Sequence, residues 1–375
     1  MNYFSTATKL LLLGGLISCM PNEPVEEIGL KNTFKDSFTI GAALNHKQVR
    51  ELGQQEEKIL FQHFNSITAE NLLKWGSIHP KFDTYNFKPA DDFVELGEKM
   101  DAFIVGHTLV WHNQTPNWVF EDADGEPMEK EALLERMKDH IRTVAGRYKG
   151  RIHGWDVVNE AIFDDGEYRT SHWYNITGKD FIKEAFKTAS EVDPDMELYY
   201  NDYNMWKPAK RNTAIELAKE LRAEGIRIDG IGMQGHYGLE SPSLEDIENS
   251  IVAIADAGFD VMFTEVDIDV LPNPVNRHGA DIDATFEYEE KYNPYTTELP
   301  EDIQQKLADR YRELFELFLK HEDKISRVTF WGLTDQDSWL NNWPIRGRTA
   351  YPLLFEKDGT PKEAIINKLT DLKKQ

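Results

Sequence analysis

The sequence predicts an α/β fold closed into a single (β/α)8 TIM barrel. Three observations predict it: eight short runs rich in β-branched and aromatic residues, amphipathic stretches between them, and no linker to interrupt the alternation after residue 28. Continuous apolar runs separated by helices imply a parallel sheet buried on both faces, and eight such units suggest closure. The runs fall at 38–43, 66–70, 103–110, 152–159, 197–201, 230–234, 261–266 and 328–332. Their lengths and composition suit buried strands. The stretches 47–64, 129–148, 179–192, 208–224, 243–257 and 300–321 carry the helical pattern that must cover such a sheet. Residues 271–299, rich in Asn, Pro, Tyr and Glu, are expected to form a long loop after the seventh strand. Long loops in compact domains usually serve a function. The 375 residues would allow two domains, but barrels reach this size as one unit, so a single domain over 28–375 is expected.

Composition excludes several classes of function. With 42 Lys plus Arg against 66 Asp plus Glu, the formal net charge is −24. Nucleic acid is therefore not an expected partner, since phosphate binding needs a basic stripe and the basic residues here are scattered among acids. An anionic membrane surface repels the folded body for the same reason. One cysteine rules out an intramolecular disulfide and a multi-cysteine metal site.

That cysteine has an informative position. Lys9 is followed by Leu10 to Leu13, Gly14, Gly15, Leu16, Ile17, Ser18 and Cys19. A short apolar run behind a Lys and closed by small residues reads as an export signal, and it is too short to span a bilayer. The tetrad Leu16-Ile17-Ser18-Cys19 resembles the bacterial lipoprotein box, which implies lipidation of Cys19. The expectation is a signal peptide over 1–18, a Pro/Glu-rich tether over 19–27 and an exported lipoprotein, periplasmic or cell-surface, whose only membrane contact is that anchor.

In a barrel of this kind the chemistry collects at the C-terminal ends of the strands. Those ends read Ala69-Glu70-Asn71, Gly106-His107-Thr108, Val158-Asn159-Glu160, Asn201-Asp202-Tyr203, Gln234-Gly235-His236, Thr264-Glu265-Val266-Asp267 and Phe330-Trp331-Gly332. Charges are rarely buried without a partner or a task, so a ring of them on one face points to a site. Glu160 ends the fourth strand and Glu265 the seventh, which should face each other across the mouth. Paired carboxylates across a cleft are the apparatus of glycoside hydrolysis: one protonates the departing oxygen and the other attacks or activates water. Mutual repulsion should keep one of them protonated to serve as the acid. A divalent metal site is the other use of such acids, but no HExxH helix or Asp-x-Asp-x-Asp-Gly loop is present. Of nine tryptophans, Trp75, Trp111, Trp206, Trp331, Trp339 and Trp343 fall at or just after predicted strand ends, where a flat indole can stack on a sugar ring. Trp155 and Trp173 read as core. His46, His63 and His140 fall in helical surface patterns and receive no functional reading.

These residues sit in motifs that resemble family 10 glycoside hydrolases, the retaining endo-β-1,4-xylanases. The motifs are Glu70-Asn71-x-x-Lys74-Trp75, Gly106-His107-Thr108-Leu109-Val110-Trp111-His112, Trp155-Asp156-Val157-Val158-Asn159-Glu160, Tyr200-Asn201-Asp202-Tyr203-Asn204, Gln234-Gly235-His236, Thr264-Glu265-x-Asp267 and Trp331-Gly332-x-x-Asp335 with Trp339. The resemblance runs from about residue 38 to 364. It implies that Glu160 is the acid/base and Glu265 the nucleophile, with Asn159 on the sugar 2-hydroxyl. It further implies that His236 holds Glu265 and Asp267 orients His236. Glu70, Asn71, Lys74, His107 and Gln234 are then expected on glycone hydroxyls, Trp331 and Trp339 beside the cleaved bond, and Trp111 along the glycone side. Xylan and xylo-oligosaccharides are the implied partners, acted on by a monomer, and no cofactor or catalytic metal is implied. A structural calcium in a loop stays open. So do two further readings: a barrel glycosidase acting on β-1,4-glucan, separable by activity on carboxymethylcellulose, and a glycan-binding protein without turnover, separable by reducing-sugar release from xylan.

Overall fold

The computed structural model describes residues 29–274, 282 and 284–373. Cys19, the expected signal 1–18, the tether 19–27 and residues 275–281 and 283 of the expected loop lie outside the described residues. Eight parallel strands form the barrel: β1 Thr39–Leu44, β2 Ser66–Ala69, β3 Phe103–Trp111, β4 Gly154–Asn159, β5 Glu197–Asp202, β6 Gly230–Met233, β7 Asp260–Asp269 and β8 Ile325–Phe330. Each pairs with the next, and β8 returns to β1 with Arg327 beside Thr39, so the sheet has no open edge. A further three-residue strand, His236–Gly238, runs beside the end of β7. β4 and β7 are three steps apart around the ring and so not diametrically opposed, which leaves the ends of β5 and β6 between them.

The strands are apolar on both faces because the inside of the barrel is packed with side chains and the outside is covered by helices. Trp155 on β4 is fully buried, and it fits only because Gly106 on β3 has no side chain: a β-carbon there would lie 2.3 Å from the indole. The helices Lys130–Arg147, Asp180–Val192, Pro208–Ala223, Leu244–Asp256 and Glu301–Lys320 match the amphipathic stretches within two residues. The stretch 47–64 instead divides into His46–Arg50 and Gln54–His63. Gly53 is extended between them, and the Glu56 carboxylate reaches back to its N–H at 2.9 Å, which starts the second helix afresh. The described part of the 271–299 loop is tied down on residues that follow β8: Phe286 N–H donates to the Pro344 carbonyl, Tyr351 O–H to the Tyr295 carbonyl and Thr349 N–H to Asn293 Oδ1, each at 2.9 Å.

Candidate active site

At the C-terminal mouth, a cavity of about 150 Å3 is lined by all twelve residues expected to be catalytic or substrate-binding: Glu70, Asn71, Lys74, His107, Trp111, Asn159, Glu160, Gln234, His236, Glu265, Trp331 and Trp339. Asp267 lies behind it and borders an adjoining cavity of about 680 Å3, which shares His236 and Trp339.

Glu160 follows β4 directly and has φ +56°, a left-handed conformation that a non-glycine residue keeps only where its surroundings enforce it. Its carboxylate accepts from Trp111 Nε1 and Gln234 Nε2, both at 2.9 Å. Burial, followed by the negative charge of Asp202, pushes the Glu160 carboxyl up to about 7 against the pull of the Gln234 hydrogen bond.

Glu265, inside β7, has the same side chain and the opposite environment. Its Oε1 accepts from Asn201 Nδ2 at 2.8 Å, and its Oε2 lies 3.2 Å from His236 Nε2. Burial opposes its ionisation, yet the His236 hydrogen bond and the charges of the surrounding imidazoles and Lys74 hold it below the usual carboxylate range. His236 is charged to do this. Burial pulls its imidazole down, but Asp267, 2.9 Å from Nδ1, and Glu265 together push it up to about 10. Asp267 also accepts Trp339 Nε1–H at 2.7 Å, so one carboxylate orients both the imidazole and the indole wall. Gly235, at φ +92°, turns the chain between Gln234 and His236, so that near neighbours in sequence serve the two different carboxylates.

On the other side of the cavity, Lys74 Nζ donates to Asn71 Oδ1 at 2.9 Å, and Asn71 Nδ2 donates to Glu70 Oε1 at 3.0 Å. The Lys74 ammonium lies 4.7 Å from the Trp111 ring centre. Burial lowers the Lys74 ammonium and raises the Glu70 carboxyl. His107 is held by Asp156 at 2.8 Å and meets the edge of Trp331.

Three expectations need correction. Trp75 is core: it is 2% exposed, with its ring stacked 3.7 Å from His140. His140 and His63 are buried, not on the surface. The His140 Nδ1 lies 3.2 Å from His79 Nδ1, and burial holds both imidazoles down, so they stay neutral and pack as flat rings. Trp206 does not line the cavity, and Trp343 reaches only the adjoining one, where it stacks on Trp339 at 4.4 Å. Three residues were missed, of which Ile282 lines the cavity from the 271–299 loop, where the expectation that a long loop serves a function was the available signal. Asn201 binds Glu265 and donates to Asn159 Oδ1 at 3.0 Å; its place in the strand-end motif was the available signal. Gln114 lines the cavity from the loop after β3, and no local pattern marks it. Among the described residues, no group of three or more His, Cys, Asp or Glu side chains could hold a metal ion.

The sequence model described as glycosyl hydrolase family 10 matches residues 29–370. The chain is 45% identical over 355 residues to endo-1,4-beta-xylanase A of Xylanibacter ruminicola, covering 95% of both chains. It is 43% identical to a beta-1,4-xylanase of Dictyoglomus thermophilum, covering 89% of this chain and 88% of that one. A solved GH10 endoxylanase from a sugarcane soil metagenome superposes with a TM-score of 0.88 at 47% identity, over 92% of this chain and 100% of the other.

Proposed function

Because the chain belongs to glycosyl hydrolase family 10, we propose that its mouth cavity hydrolyses internal β-1,4-xylosidic bonds of xylan, as an endo-1,4-β-xylanase that retains anomeric configuration. The observation that carries this reading is the split between two buried glutamates in one cavity: Glu160 is held protonated up to about 7, and Glu265 is held ionised. In the first step the Glu265 carboxylate attacks the anomeric carbon while Glu160 gives its proton to the departing glycosidic oxygen. The C–O bond to the leaving chain breaks as the glycosyl–enzyme ester forms. Glu160, now ionised, takes a proton from water, whose oxygen displaces Glu265. The second inversion restores the β-anomer. Asn159, oriented by Asn201, is placed to bond the sugar 2-hydroxyl. The tryptophan walls suit a flat sugar ring, and the acting unit in this reading is a monomer.

The roles of the two glutamates are tested by azide rescue on an aryl xylobioside with a good leaving group. Glu160→Ala leaves the nucleophile in place, so the covalent intermediate forms, stalls, and is opened by azide to the β-glycosyl azide. Glu265→Ala opens the opposite face, so azide attacks the substrate directly and gives the α-azide. The same anomer from both variants refutes the assignment.

The protein acts outside the cytoplasm as a lipoprotein anchored through Cys19, a reading supported by the apolar run and the tetrad Leu16-Ile17-Ser18-Cys19. Cys19→Ala should shift xylanase activity out of the membrane fraction or stall processing, and unchanged fractionation would refute it.

A further inference from the structure

The peptide that follows Glu160 is gripped at both polar ends. The Glu160 carbonyl accepts from Arg169 Nε at 2.9 Å, and the Ala161 N–H donates to the Tyr200 hydroxyl at 3.1 Å. Neither grip is free to drift. The Arg169 guanidinium also donates to the Tyr203 hydroxyl at 2.6 Å, and its backbone N–H returns to the Ala161 carbonyl at 2.8 Å. The Tyr200 hydroxyl donates onward to Asp202 Oδ2 at 2.5 Å. Asp202 is itself paired through Oδ1 with Lys210 at 2.7 Å, and neither of these side chains has any exposure. None of the five residues is among those lining the catalytic cavity. They nevertheless surround the one catalytic residue whose backbone is left-handed, a conformation that relaxes unless it is over-determined.

We propose that Arg169, braced by Tyr203, and Tyr200, seated on the Asp202–Lys210 ion pair, are positioning residues for proton donation: they lock the Glu160–Ala161 peptide in its left-handed turn and so keep the Glu160 carboxyl aimed at the departing glycosidic oxygen. The proposal rests on the reading of Glu160 as the acid/base. A rotation about the Glu160 backbone swings its β-carbon, and with it the carboxyl, away from the cleaved bond. Glu265, carried inside β7, does not depend on this turn. Loss of the clamp therefore weakens general-acid help and leaves nucleophilic attack intact. A residue that merely supports the barrel would instead slow every substrate alike.

The test compares leaving groups. Tyr200→Phe removes one grip, and Arg169→Lys breaks the planar fork that reaches two acceptors at once. Each variant is checked for folding by circular dichroism and assayed on phenyl β-xylobioside and 2,4-dinitrophenyl β-xylobioside. Dinitrophenolate departs without a proton, whereas phenolate needs one. General-acid help is worth roughly 10²–10⁴-fold, so partial misaiming should lower kcat on the phenyl substrate by about tenfold or more. KM on that substrate, and kcat/KM on the dinitrophenyl substrate, should stay within about twofold. Equal losses on both substrates, or no loss on either, overturn the proposal. If Tyr200→Phe does not fold, Arg169→Lys decides it, since that side chain sits nearer the surface at 8% exposed. Glu160→Ala run alongside separates the two readings: if it shows no leaving-group dependence, the assignment of Glu160 fails first and the clamp falls with it.

Discussion

Replacing Asp267 by asparagine keeps the shape of the side chain and removes one charge from the group behind Glu265. In the structure the carboxylate accepts from His236 Nδ1 at 2.9 Å and from Trp339 Nε1 at 2.7 Å. An asparagine presents one acceptor oxygen and one amide donor, so with Oδ1 kept on Trp339 Nε1–H its N–H faces His236 Nδ1, which favours the neutral imidazole with its proton on Nε2. The larger consequence concerns charge. Burial pulls the His236 imidazole down, and Asp267 is the largest influence that reverses this and pushes it up to about 10. Without it burial again lowers the imidazole, and Glu265 exchanges a charged donor at 3.2 Å for a neutral one to the extent that His236 loses its proton. A hydrogen bond to a charged partner contributes ~1.5–3 kcal/mol against ~1 for a neutral one. Loss of roughly 1–2 kcal/mol raises the Glu265 carboxyl by about one unit. The acid limb of the kcat/KM profile should therefore move up by about one pH unit, with about tenfold less activity on that limb. The basic limb, governed by Glu160, should stay near 7. The assay is the pH dependence of kcat/KM on an aryl xylobioside. An Asp267→Asn protein that folds and keeps its acid limb in place would show that Asp267 does not set the charge on His236.

Two more outcomes follow from groups already described. Because Glu160 titrates near 7 in the folded protein and near 4.5 unfolded, its contribution to stability is present below pH 4.5 and lost as the pH rises through 7. Glu160→Gln should thus gain on the wild type by up to ~3 kcal/mol between pH 4.5 and pH 8, measured as the change in the difference of unfolding free energies, which cancels the fixed effect of the altered hydrogen bonds. Trp75→Ala should destabilise the fold by about 3–5 kcal/mol in denaturant titration, as the loss of a buried aromatic does; a folded, equally stable variant with a raised KM would return Trp75 to the sugar site.

The strands were legible because their signal is local. Short β-branched runs bounded by turns and covered by amphipathic stretches can be read without knowing what they touch, and the observed strand bounds fall within three residues of the expected ones. The site was legible for a related reason: polar residues at strand ends are conspicuous against apolar runs, and the barrel brings all strand ends to one mouth. Asn201 was visible in its motif, but its partner Glu265 is 64 residues away. Gln114 carried no signal, since a glutamine in a loop after a strand looks like any solvated loop residue.

The sequence by itself determined the barrel, the mouth on which the site lies and the two glutamates that face it. Tertiary structure alone decided which tryptophans serve the cavity. Trp75 follows β2 and Trp111 ends β3, yet Trp75 turns onto His140, a residue of the helix Lys130–Arg147, whereas Trp111 turns onto Glu160. A tryptophan or a histidine suits a core as well as a cleft, and no local pattern says which neighbour the chain will bring. Tertiary structure also supplies the electrostatic difference between the two glutamates. The two side chains are chemically identical, and protonation depends on the charges and donors within a few ångströms: Asp202, Gln234 and Trp111 around one, His236, Asn201 and Lys74 around the other. Those groups arrive from different strands, so the electrostatic field that separates the two roles exists only once the barrel has closed.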